Sequence, residues 1–302
     1  MKGIKMILAL LLIFCGPQAI AQKIVSDHEK LKKDLTKIIK PYKAKTGIVI
    51  NSMEDSAVIV INNNHHYPML SVYKFPLALA VLDRVDKGEF SLQQKIKVTS
   101  EDLKANTWSP LRTKYPEGNI EISIAELLDY TVSQSDNNTC DILFRLLGGT
   151  ARVNHYIHGL GIRQISVAAT EEEMSKSWEV QYTNWTEPLA MAKLLEGFYH
   201  GAYLSDSSTR FLMKLMVESS NSANRLKKYL PENIVLAHKT GTSNTNKAGM
   251  TAAVNDIGII TLPDGKHIAI TVFVSDSYEK FETNETIIAD IAKASLNYFI
   301  AR

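Results

Sequence analysis

Cysteine is scarce in this sequence. Only Cys15 and Cys140 occur among the 302 residues, and Cys15 lies in the apolar run of an expected N-terminal signal. With that run removed a single cysteine is left, so no intrachain disulfide can form. The fold must therefore rest on a hydrophobic core, which a chain of this length can bury.

An excess of charge of either sign is also missing. The formal net charge is +2, and loss of Lys2 and Lys5 with the expected signal leaves 32 basic and 32 acidic residues. This balance gives no electrostatic footprint for nucleic acid and no polybasic patch for an anionic membrane. Eight histidines are present, but none has the H-x-H or H-E-x-x-H spacing of a metal site. We expect no metal and no cofactor.

The apolar run at residues 6–15 is too short to span a bilayer. Two lysines precede it and an A-x-A cleavage site ending at Ala21 follows it, which is the pattern of a signal peptide. A lipoprotein signal ending at Cys15 is the weaker alternative, because a bulky phenylalanine precedes the cysteine. We predict a signal peptide over residues 1–21, a mature chain of residues 22–302, export to the periplasm and no membrane attachment after cleavage.

The mature chain shows no internal repeat, low-complexity tract or long linker, which predicts one domain. Short β-branched runs occur near both ends, and helical periodicity dominates the middle. We predict an α/β (α+β) fold: an antiparallel sheet built from both termini and flanked by helices, with an inserted all-helical subdomain. The sheet subdomain comprises residues 22–69 and 218–302, and the helical subdomain residues 70–217. The cleft between them is the expected active site.

The individual segments follow the same periodicities. The predicted strands are residues 47–51, 57–62, 234–238, 252–261 and 267–274. The predicted helices are residues 27–42, a long one from about residue 71, then 123–132, 140–147, 151–159, 188–199, 207–216 and 282–300.

Three short motifs follow one another in fixed order: Ser71-Val72-Tyr73-Lys74, Ser135-Asp136-Asn137 and Lys239-Thr240-Gly241. Each is common by chance, and the chain holds a second S-x-x-K at Ser277-Tyr278-Glu279-Lys280. Only the first S-x-x-K is followed by S-D-N and then K-T-G. That ordered set is typical of serine β-lactamases and penicillin-binding proteins, and it supplies a nucleophile, a proton shuttle and a cationic wall for acyl transfer.

The first motif fits an activated serine. Serine is a weak nucleophile that needs a neighbouring base, and positions i and i+3 share one helix face, so Lys74 can place its amine against the Ser71 hydroxyl. Pro76 is tolerated only near a helix start, which puts Ser71 at or near the N-terminus. There the free N–H groups and the helix dipole favour developing negative charge. Taken alone, the same pattern describes an N-cap serine and an exposed lysine.

The other two motifs supply the remaining groups. We predict that the Ser135 hydroxyl relays a proton to a leaving nitrogen, that Asn137 binds substrate, and that Asp136 holds the turn. Lys239, at the end of the predicted strand 234–238, would bind a substrate carboxylate by charge. The hydroxyls of Thr240 and Thr242 would assist it, and the backbone N–H groups of Ser71 and Thr242 would form an oxyanion hole.

These motifs resemble those of class A serine β-lactamases, over essentially the whole mature chain. In that family 36 residues separate the S-D-N serine from the glutamate that activates the deacylating water, and 68 more reach the K-T-G lysine; these intervals lead here from Ser135 to Glu171 and Lys239. Composition alone would make the acidic run that begins at Glu171 a solvated loop. The resemblance also implies that Trp108 lies at the cleft mouth and that Arg225 supports the substrate carboxylate.

The loop carrying Glu171 departs from the usual class A pattern. The arginine and aspartate that pair across its neck are replaced by Ala169 and Asn184, which cannot form an ion pair. Ser175 stands where an asparagine usually helps to hold the hydrolytic water. These departures resemble the divergent branch that contains the PER and VEB enzymes, in which the loop is rearranged and the cleft admits bulky cephalosporins. Together with Ser243 at the binding edge, they imply hydrolysis of oxyimino-cephalosporins.

The implied function is hydrolysis of the β-lactam ring of penicillins and cephalosporins, giving antibiotic resistance. The partners would be small-molecule β-lactams, and a monomer is expected. Two alternatives share the three motifs. A D,D-peptidase acting on peptidoglycan normally lacks a glutamate at the spacing of Glu171. A penicillin-binding sensor that stays acylated needs a transmembrane or signalling segment, which the sequence after the signal does not show.

Overall fold

The computed structural model of the protein describes residues 17–54, 57–221 and 223–301, with side chains from residue 28 onward. The lysines and the apolar run of the expected signal peptide lie outside these residues. Within the described part of the chain, no helix is both long and apolar enough to cross a membrane.

The helices are α1 Pro17–Ile39, α2 Lys74–Asp86, α3 Pro110–Lys114, α4 Ile124–Val132, α5 Asn137–Leu147, α6 Thr150–Gly159, α7 Glu171–Met174, α8 Pro188–Tyr199, α9 Asp206–Val217 and α10 Phe281–Ile300. The strands are β1 Lys45–Ser52, β2 Val58–Ile61, β3 Tyr67–Pro68, β4 Lys95–Val98, β5 Ile120–Ser123, β6 Ile165–Ser166, β7 Trp185–Thr186, β8 Leu236–Thr242, β9 Thr251–Thr261 and β10 His267–Ser277. Short 3₁₀ turns cover Leu70–Tyr73, Ser100–Asp102 and Trp178–Thr183.

A five-stranded antiparallel sheet joins the two ends of the chain, in the order β2-β1-β10-β9-β8. Alternate residues of a strand point to one face, so Ile48 and Ile50 of β1 share a face and form one apolar cluster with residues of α1 and α10, such as Leu35 and Ile291. The predicted fold class, a sheet from both termini flanked by helices, is confirmed.

Helix α8 covers part of the opposite face of the sheet. A Cβ on Gly47 of β1 would lie 2.6 Å from Pro188 Cγ and from the Tyr67 ring, so only glycine allows this approach. Thr271 of β10 also donates to the Pro188 carbonyl at 3.3 Å. The division into a sheet subdomain (22–69 and 218–302) and a helical subdomain (70–217) stays a prediction. Helix α8, helix α9 and the turn at Ser71 are parts of the predicted helical segment that contact the sheet.

Helix α2 is the centre of the helical region. Its residues from Lys74 to Leu82 are all buried, and a helix that is apolar nearly all round belongs inside a protein. It is surrounded by α4, α5, α6 and α9. Short strands lie between the helices: β4 pairs with β5, and β3 and β6 pair with β7. Runs of two to four residues are too short for a period to show in the sequence.

Two boundaries differ from the prediction where the site is built. The helix expected from Ser71 begins as the 3₁₀ turn Leu70–Tyr73, and α2 starts at Lys74. The strand expected to end before Lys239 instead continues to Thr242, because β9 pairs alongside it, with Lys239 opposite Ile257. Lys239, Thr240 and Gly241 are therefore held inside a sheet rather than in a loop.

Candidate active site

Ser71 lies in the 3₁₀ turn directly before α2. The preceding residue, Leu70, has a φ of +47°, a conformation that costs a non-glycine residue roughly 1–3 kcal/mol and occurs mainly where the surroundings enforce it. Pro76 fits in the first turn of α2, where a missing N–H leaves no hydrogen bond unmade. The positive end of the α2 dipole thus lies next to Ser71.

Lys74 is fully buried and connects the groups of the site. Its Nζ donates to Ser71 Oγ at 3.0 Å, to the Ser135 carbonyl at 2.8 Å and to Asn137 Oδ1 at 2.5 Å. An ammonium group has three protons, so these acceptors fill its donor capacity. Glu171 Oε1 lies 3.0 Å from the same nitrogen as an ion pair. One cation therefore contacts all four residues.

Ser135 lies between two lysines. Its φ is +58°, which turns its carbonyl to Lys74 and leaves its hydroxyl as the acceptor of a 2.9 Å hydrogen bond from Lys239 Nζ. Lys239 is fully buried and also donates to the Thr240 carbonyl at 3.0 Å. Burial, and then the charge of Lys74, lower the pKa of Lys239 well below its usual value, so this lysine gives up a proton more readily than an exposed one.

Asp136 fixes the S-D-N turn, as predicted. It is fully buried at the N-cap of α5. Its carboxylate accepts from Ser109 Oγ and the Leu111 N–H, both at 2.8 Å, and from the Thr139 N–H at 3.0 Å. This ties the turn to the Trp108-Ser109-Pro110 element. Trp108 itself is 61% exposed, and its ring lies over the edge of the cleft with Nε1 bonded to the Gln134 carbonyl.

Gly241 allows β8 to pack against the Ser71 turn. A Cβ at this position would lie 2.2 Å from the Met69 carbonyl oxygen and 3.2 Å from the Val72 N, and the first of these distances excludes a larger residue unless the backbone moves. Asn255 of β9 closes the contact from the sheet by donating to the carbonyls of Pro68 and Met69 at 2.8 and 3.2 Å. Thr242 is thereby brought to the same cavity as Ser71.

Two connected cavities form the cleft. The first, of about 320 Å³, is lined by Ser71, Trp108, Ser135, Asn137, Asn221, Thr240 and Thr242. The second, of about 730 Å³, shares Trp108, Asn137 and Thr242 and extends to Glu171, Ser175, Trp178, Gln181 and Ser243. The predicted site residues other than Arg225 therefore converge on one cleft, with Lys74 and Lys239 buried beneath it. In the described residues, no cluster of histidine, cysteine, aspartate or glutamate is placed to hold a metal ion.

The chain matches known β-lactamases in sequence and in fold. Residues 30–299 match the sequence profile of the Beta-lactamase enzyme family. The chain is 45% identical over 304 residues to β-lactamase VEB-1 of Pseudomonas aeruginosa, covering 99% of each protein. It is 41% identical over 268 residues to the extended-spectrum β-lactamase PER-1 of the same organism, covering 89% of this chain and 87% of that one. The crystal structure of the TLA-1 extended-spectrum β-lactamase superposes with a TM-score of 0.89 at 53% identity, covering 91% of this chain and 99% of that one.

The chain belongs to the class A β-lactamase family. It is a serine hydrolase that acts on β-lactams, and the predicted resemblance to the branch of the PER and VEB enzymes is confirmed.

In this β-lactamase Arg225 lies behind the cleft and lines neither cavity. It is 1% exposed. Its guanidinium donates to Thr242 Oγ1 at 2.7 Å, to the carbonyls of Gly241 and Asn255 at 3.1 and 2.9 Å, and to Glu285 Oε1 at 3.3 Å. The direct substrate contact predicted for Arg225 therefore has no geometric support. Because Thr242 Oγ1 accepts from the arginine, the hydroxyl proton of Thr242 stays available for donation to a ligand.

The neck of the Glu171 loop is closed by an amide instead of an ion pair. Asn184 is fully buried; its Oδ1 accepts from the N–H groups of Ala168 and Ala169 at 2.7 and 3.0 Å, and its Nδ2 donates to the Ala169 carbonyl at 2.8 Å. The prediction that Ala169 and Asn184 form no ion pair agrees with these contacts. The Asn184 amide bonds the backbone of Ala168 and Ala169 on the other side of the neck, so no partner side chain is needed.

A second carboxylate, Asp141, holds the start of the loop. Its two oxygens accept from the N–H groups of Glu171 and Glu172 at 2.8 and 2.9 Å, at the N-terminus of α7. Burial raises the pKa of Asp141 to about 7, and the charge of Glu171 adds to the effect although the two N–H donors oppose it. Ser175 lies at the other end of α7, where its hydroxyl bonds the Glu172 carbonyl at 2.7 Å. Ser175 and Glu171 line the same cavity.

Three residues that help to build the site were not predicted from the sequence. Asp141 follows Asn137 by one helical turn, so the i, i+4 spacing on α5 was the signal that could have found it. Asn221 lines the cleft from a turn after α9, and Asn255 supports the Ser71 turn from β9. Neither of these asparagines has a sequence pattern that marks it, because both act through tertiary contacts.

Proposed function

We propose that this β-lactamase hydrolyses penicillins and cephalosporins, including oxyimino-cephalosporins, through an acyl-enzyme on Ser71 that water deacylates with Glu171 as the base. One observation carries the proposal: Lys74 Nζ is 3.0 Å from Ser71 Oγ and 3.0 Å from Glu171 Oε1. Nucleophile and second-step base are thus joined through one cation, which can move a proton between them.

In the first step Ser71 Oγ attacks the β-lactam carbonyl carbon. Lys74 can take the serine proton only after it has passed one of its own three protons to Glu171, which lies 3.0 Å away. Alternatively Glu171 takes the serine proton through a water; this choice of base is open for class A enzymes. The backbone N–H groups of Ser71 and Thr242 stabilise the oxyanion that forms. Removal of one such donor typically lowers the rate by about 10²–10³-fold. The close packing of β8 on the Ser71 turn at Gly241 supports this pairing.

Cleavage of the ring C–N bond needs a proton on the leaving nitrogen. We assign this step to the Ser135 hydroxyl, which lines the cleft and accepts from Lys239 at 2.9 Å. The lowered pKa of Lys239 favours proton supply through Ser135. The carboxylate of a bound β-lactam would favour the charged form of Lys239 and thereby anchor the substrate.

The remaining contacts orient the substrate. We assign the carboxylate to Lys239, Thr240 and Thr242, with Arg225 as a positioning residue that acts through the Thr242 hydroxyl. Asn137 would bind an amide of the substrate side chain, and Trp108 would cover it at the mouth. Asn137 Nδ2 bonds Thr107 Oγ1 at 2.7 Å, which fixes the orientation of the amide.

Deacylation is assigned to a water activated by Glu171. Glu171 Oε1 is buried and, apart from the Lys74 ammonium at 3.0 Å, has no hydrogen-bond donor in the described part of the chain, so it keeps a lone pair available for a proton of that water. Ser175 borders the same cavity and would assist in holding the water. The ester carbon of the acyl-enzyme receives the hydroxide, and Ser71 takes back its proton as it leaves.

The size of the second cavity, about 730 Å³, supports acceptance of bulky oxyimino side chains, with Ser243 at its β8 edge. Two similar proteins, PER-1 and TLA-1, are described as extended-spectrum β-lactamases. We further propose periplasmic export, a monomeric enzyme and a role in antibiotic resistance.

The test is to mix the purified protein with a large excess of a chromogenic cephalosporin and, in parallel, with an oxyimino-cephalosporin. Linear turnover far beyond one equivalent on both substrates is expected. A burst of one equivalent followed by no turnover would contradict a deacylating role for Glu171 and favour a peptidase or sensor. Turnover of the chromogenic substrate alone would contradict the proposed substrate range.

A further inference from the structure

The Glu171 loop has a second attachment, outside the cleft. Tyr182, in the 3₁₀ turn Trp178–Thr183, donates from its hydroxyl to Asp276 Oδ1 at 2.8 Å. Asp276 lies near the end of β10, and its other oxygen is 2.8 Å from Lys45 Nζ at the start of β1. His65 Nε2 lies 4.0 Å from that same oxygen. The loop is thus bonded to β10, and Asp276 in turn bonds Lys45 of the neighbouring strand β1.

The backbone of Asp276 is held in an unusual conformation for this contact. Its φ is +49°, while the neighbours Ser275 and Ser277 pair normally with Ala253 and Thr251 of β9. Aspartate and asparagine tolerate this left-handed region better than most residues do. A left-handed residue inside a strand costs free energy and is kept where the surroundings enforce it. Here it accompanies a side chain that bonds both Tyr182 and Lys45.

The hydroxyl of Tyr182 stays protonated and therefore remains a hydrogen-bond donor to Asp276. Burial, and then the hydrogen bond to Asp276, raise the pKa of Tyr182 above its usual value. In the described part of the chain, the other hydrogen bonds and ion pairs of residues 175–183 stay within the loop, as between Gln181 Nε2 and the Trp178 carbonyl. The bond to Asp276 is therefore the polar contact that fastens this turn to the sheet.

The same turn forms a wall of the cleft. Trp178 and Gln181 line the cavity of about 730 Å³, facing Ser243 and Asn244 at the end of β8. Tyr182 follows Gln181 directly and lines neither cavity. A shift of the turn would move Trp178 and Gln181 relative to β8 and leave the cavity around Ser71 and Ser135 as it is.

We infer that Tyr182 and Asp276 are positioning residues that set the distance between the loop wall and the β8 edge, and thereby the preference of this enzyme for bulky β-lactam side chains. The inference rests on the proposed function, because it assumes that the substrate side chain occupies the larger cavity. A fixed wall binds a bulky side chain without first having to be ordered, which is how preorganisation raises affinity.

The test variant is Tyr182→Phe, which removes one hydroxyl and keeps the ring. Tyr199→Phe is the matched control. The Tyr199 hydroxyl bonds His267 Nδ1 at 2.7 Å, and His267 lies at the opposite end of β10 from Asp276. Asp276→Asn is the conservative variant: its one amide oxygen keeps an acceptor for Tyr182 and it tolerates the left-handed φ, whereas the charge and the hydrogen bond toward the exposed Lys45 are lost. Tyr182→Phe is expected to change selectivity, and the other two variants are expected to behave as wild type.

Two readouts decide the inference. For Tyr182→Phe, we expect the KM for an oxyimino-cephalosporin to rise about two- to tenfold, the ratio that one ordinary hydrogen bond supports. The kcat/KM for benzylpenicillin should stay within about twofold of wild type. Amide hydrogen exchange in residues 171–184 should also become faster, without change in β8.

Equal effects on both substrates, or loop exchange no faster than in Tyr199→Phe, would overturn the inference. If Tyr182→Phe only lowered the stability of the protein, activity on both substrates would fall equally, and that outcome also overturns the inference. If the wild-type enzyme does not turn over the oxyimino-cephalosporin, the proposed substrate range fails. The exchange measurement then still decides whether the Tyr182–Asp276 bond holds the loop.

Discussion

The two sides of the cleft are held by different kinds of interaction. On the motif side, which comprises Ser71, Lys74, Ser135 and Lys239, the lysines stand on α2 and β8 and are fully buried, and the serines lie in the turns directly before α2 and α5. On the loop side, residues 169–184, α7 has four residues and none of them is buried. That side is held by the hydrogen bonds of single side chains: Asn184 at the neck and Asp141 at the start bond backbone, and Tyr182 on the outside bonds the Asp276 carboxylate.

The difference separates two tasks. The motif side links its four residues through hydrogen bonds of 2.8–3.0 Å, which requires surroundings that cannot shift. The loop side needs only to present Glu171 to Lys74 and to leave room for the substrate side chain, so a few hydrogen bonds of ordinary strength suffice. Changes on the motif side should therefore stop chemistry, whereas changes on the loop side should alter its second step and its selectivity.

The largest effect is expected from Ser71→Ala, which removes the nucleophile. Loss of a catalytic serine in a hydrolase lowers kcat by roughly 10⁴–10⁶-fold, so steady-state hydrolysis should fall to background and mass spectrometry should find no adduct with a penicillin. Ser277→Ala, in the second S-x-x-K, is the control. Ser277 Oγ bonds Asn284 Oδ1 at 2.7 Å in the core, so this variant should lose stability and keep its activity. Hydrolysis retained in Ser71→Ala would show that Ser71 is not the nucleophile.

Glu171→Gln should separate the two steps. The amide cannot take a proton from water, so acylation should continue while the acyl-enzyme accumulates, and kcat should fall by about 10²–10⁴-fold, the usual contribution of a general base. Mass spectrometry after mixing with a penicillin measures the trapped adduct. Glu172→Gln is the matched control, because Glu172 is exposed and pairs with Lys176. An adduct on the Glu172 variant instead would move the base by one residue.

Asn184→Ala should loosen the loop without touching the motif side. It removes three hydrogen bonds of a fully buried side chain and leaves their backbone partners unsatisfied, which should lower the free energy of unfolding by about 2–3 kcal/mol. The acyl-enzyme should live longer, because Glu171 is less firmly placed. Denaturant unfolding and single-turnover kinetics measure the two effects.

The control for that variant is Asn154→Ala. Asn154 accepts a hydrogen bond from the Val167 N–H at 3.0 Å, close to the neck but outside it. It should cost about 1 kcal/mol and leave deacylation unchanged. If both variants slow deacylation equally, the neck amide has no special part in positioning Glu171.

The smallest effect is a pH dependence from Asp141. Its pKa is raised from 3.8 to about 7 in the folded protein, so between these values the native state binds a proton that the unfolded state has released. Its contribution to stability is therefore present below about pH 4 and is lost as the pH rises through 7. Asp141→Asn does not titrate, so its Tm should fall less than that of wild type between pH 5 and pH 8. Parallel Tm curves would show that this carboxyl is ionised throughout.

The motif side was accessible from the sequence, because three short motifs in fixed order name its residues and the resemblance to class A enzymes supplies the intervals between them. The antiparallel sheet from both termini and the 36- and 68-residue intervals that connect Ser135, Glu171 and Lys239 could be read without coordinates. The extent of β8 was underestimated, since only its pairing with β9 keeps Lys239 to Thr242 extended.

The loop side was predicted in its departures but not in its contacts. The sequence showed that Ala169 and Asn184 cannot form an ion pair. The hydrogen bonds of the Asn184 side chain that replace it go to backbone groups, which no residue pattern reveals. Arg225 was expected in the cleft, and its burial behind Thr242 follows from the pairing of β8 with β9 and from Glu285 on α10. Such contacts depend on where distant elements meet.

Gly241 has a consequence for how this enzyme can vary. With the Met69 carbonyl 2.2 Å from any added Cβ, a library of all substitutions at codon 241 should yield glycine alone among resistant clones. Substitution of Gly241 therefore cannot alter the β8 side of the cleft in a functional enzyme. Selection for new antibiotics would have to widen the site from the opposite side, where single hydrogen bonds can be lost one at a time.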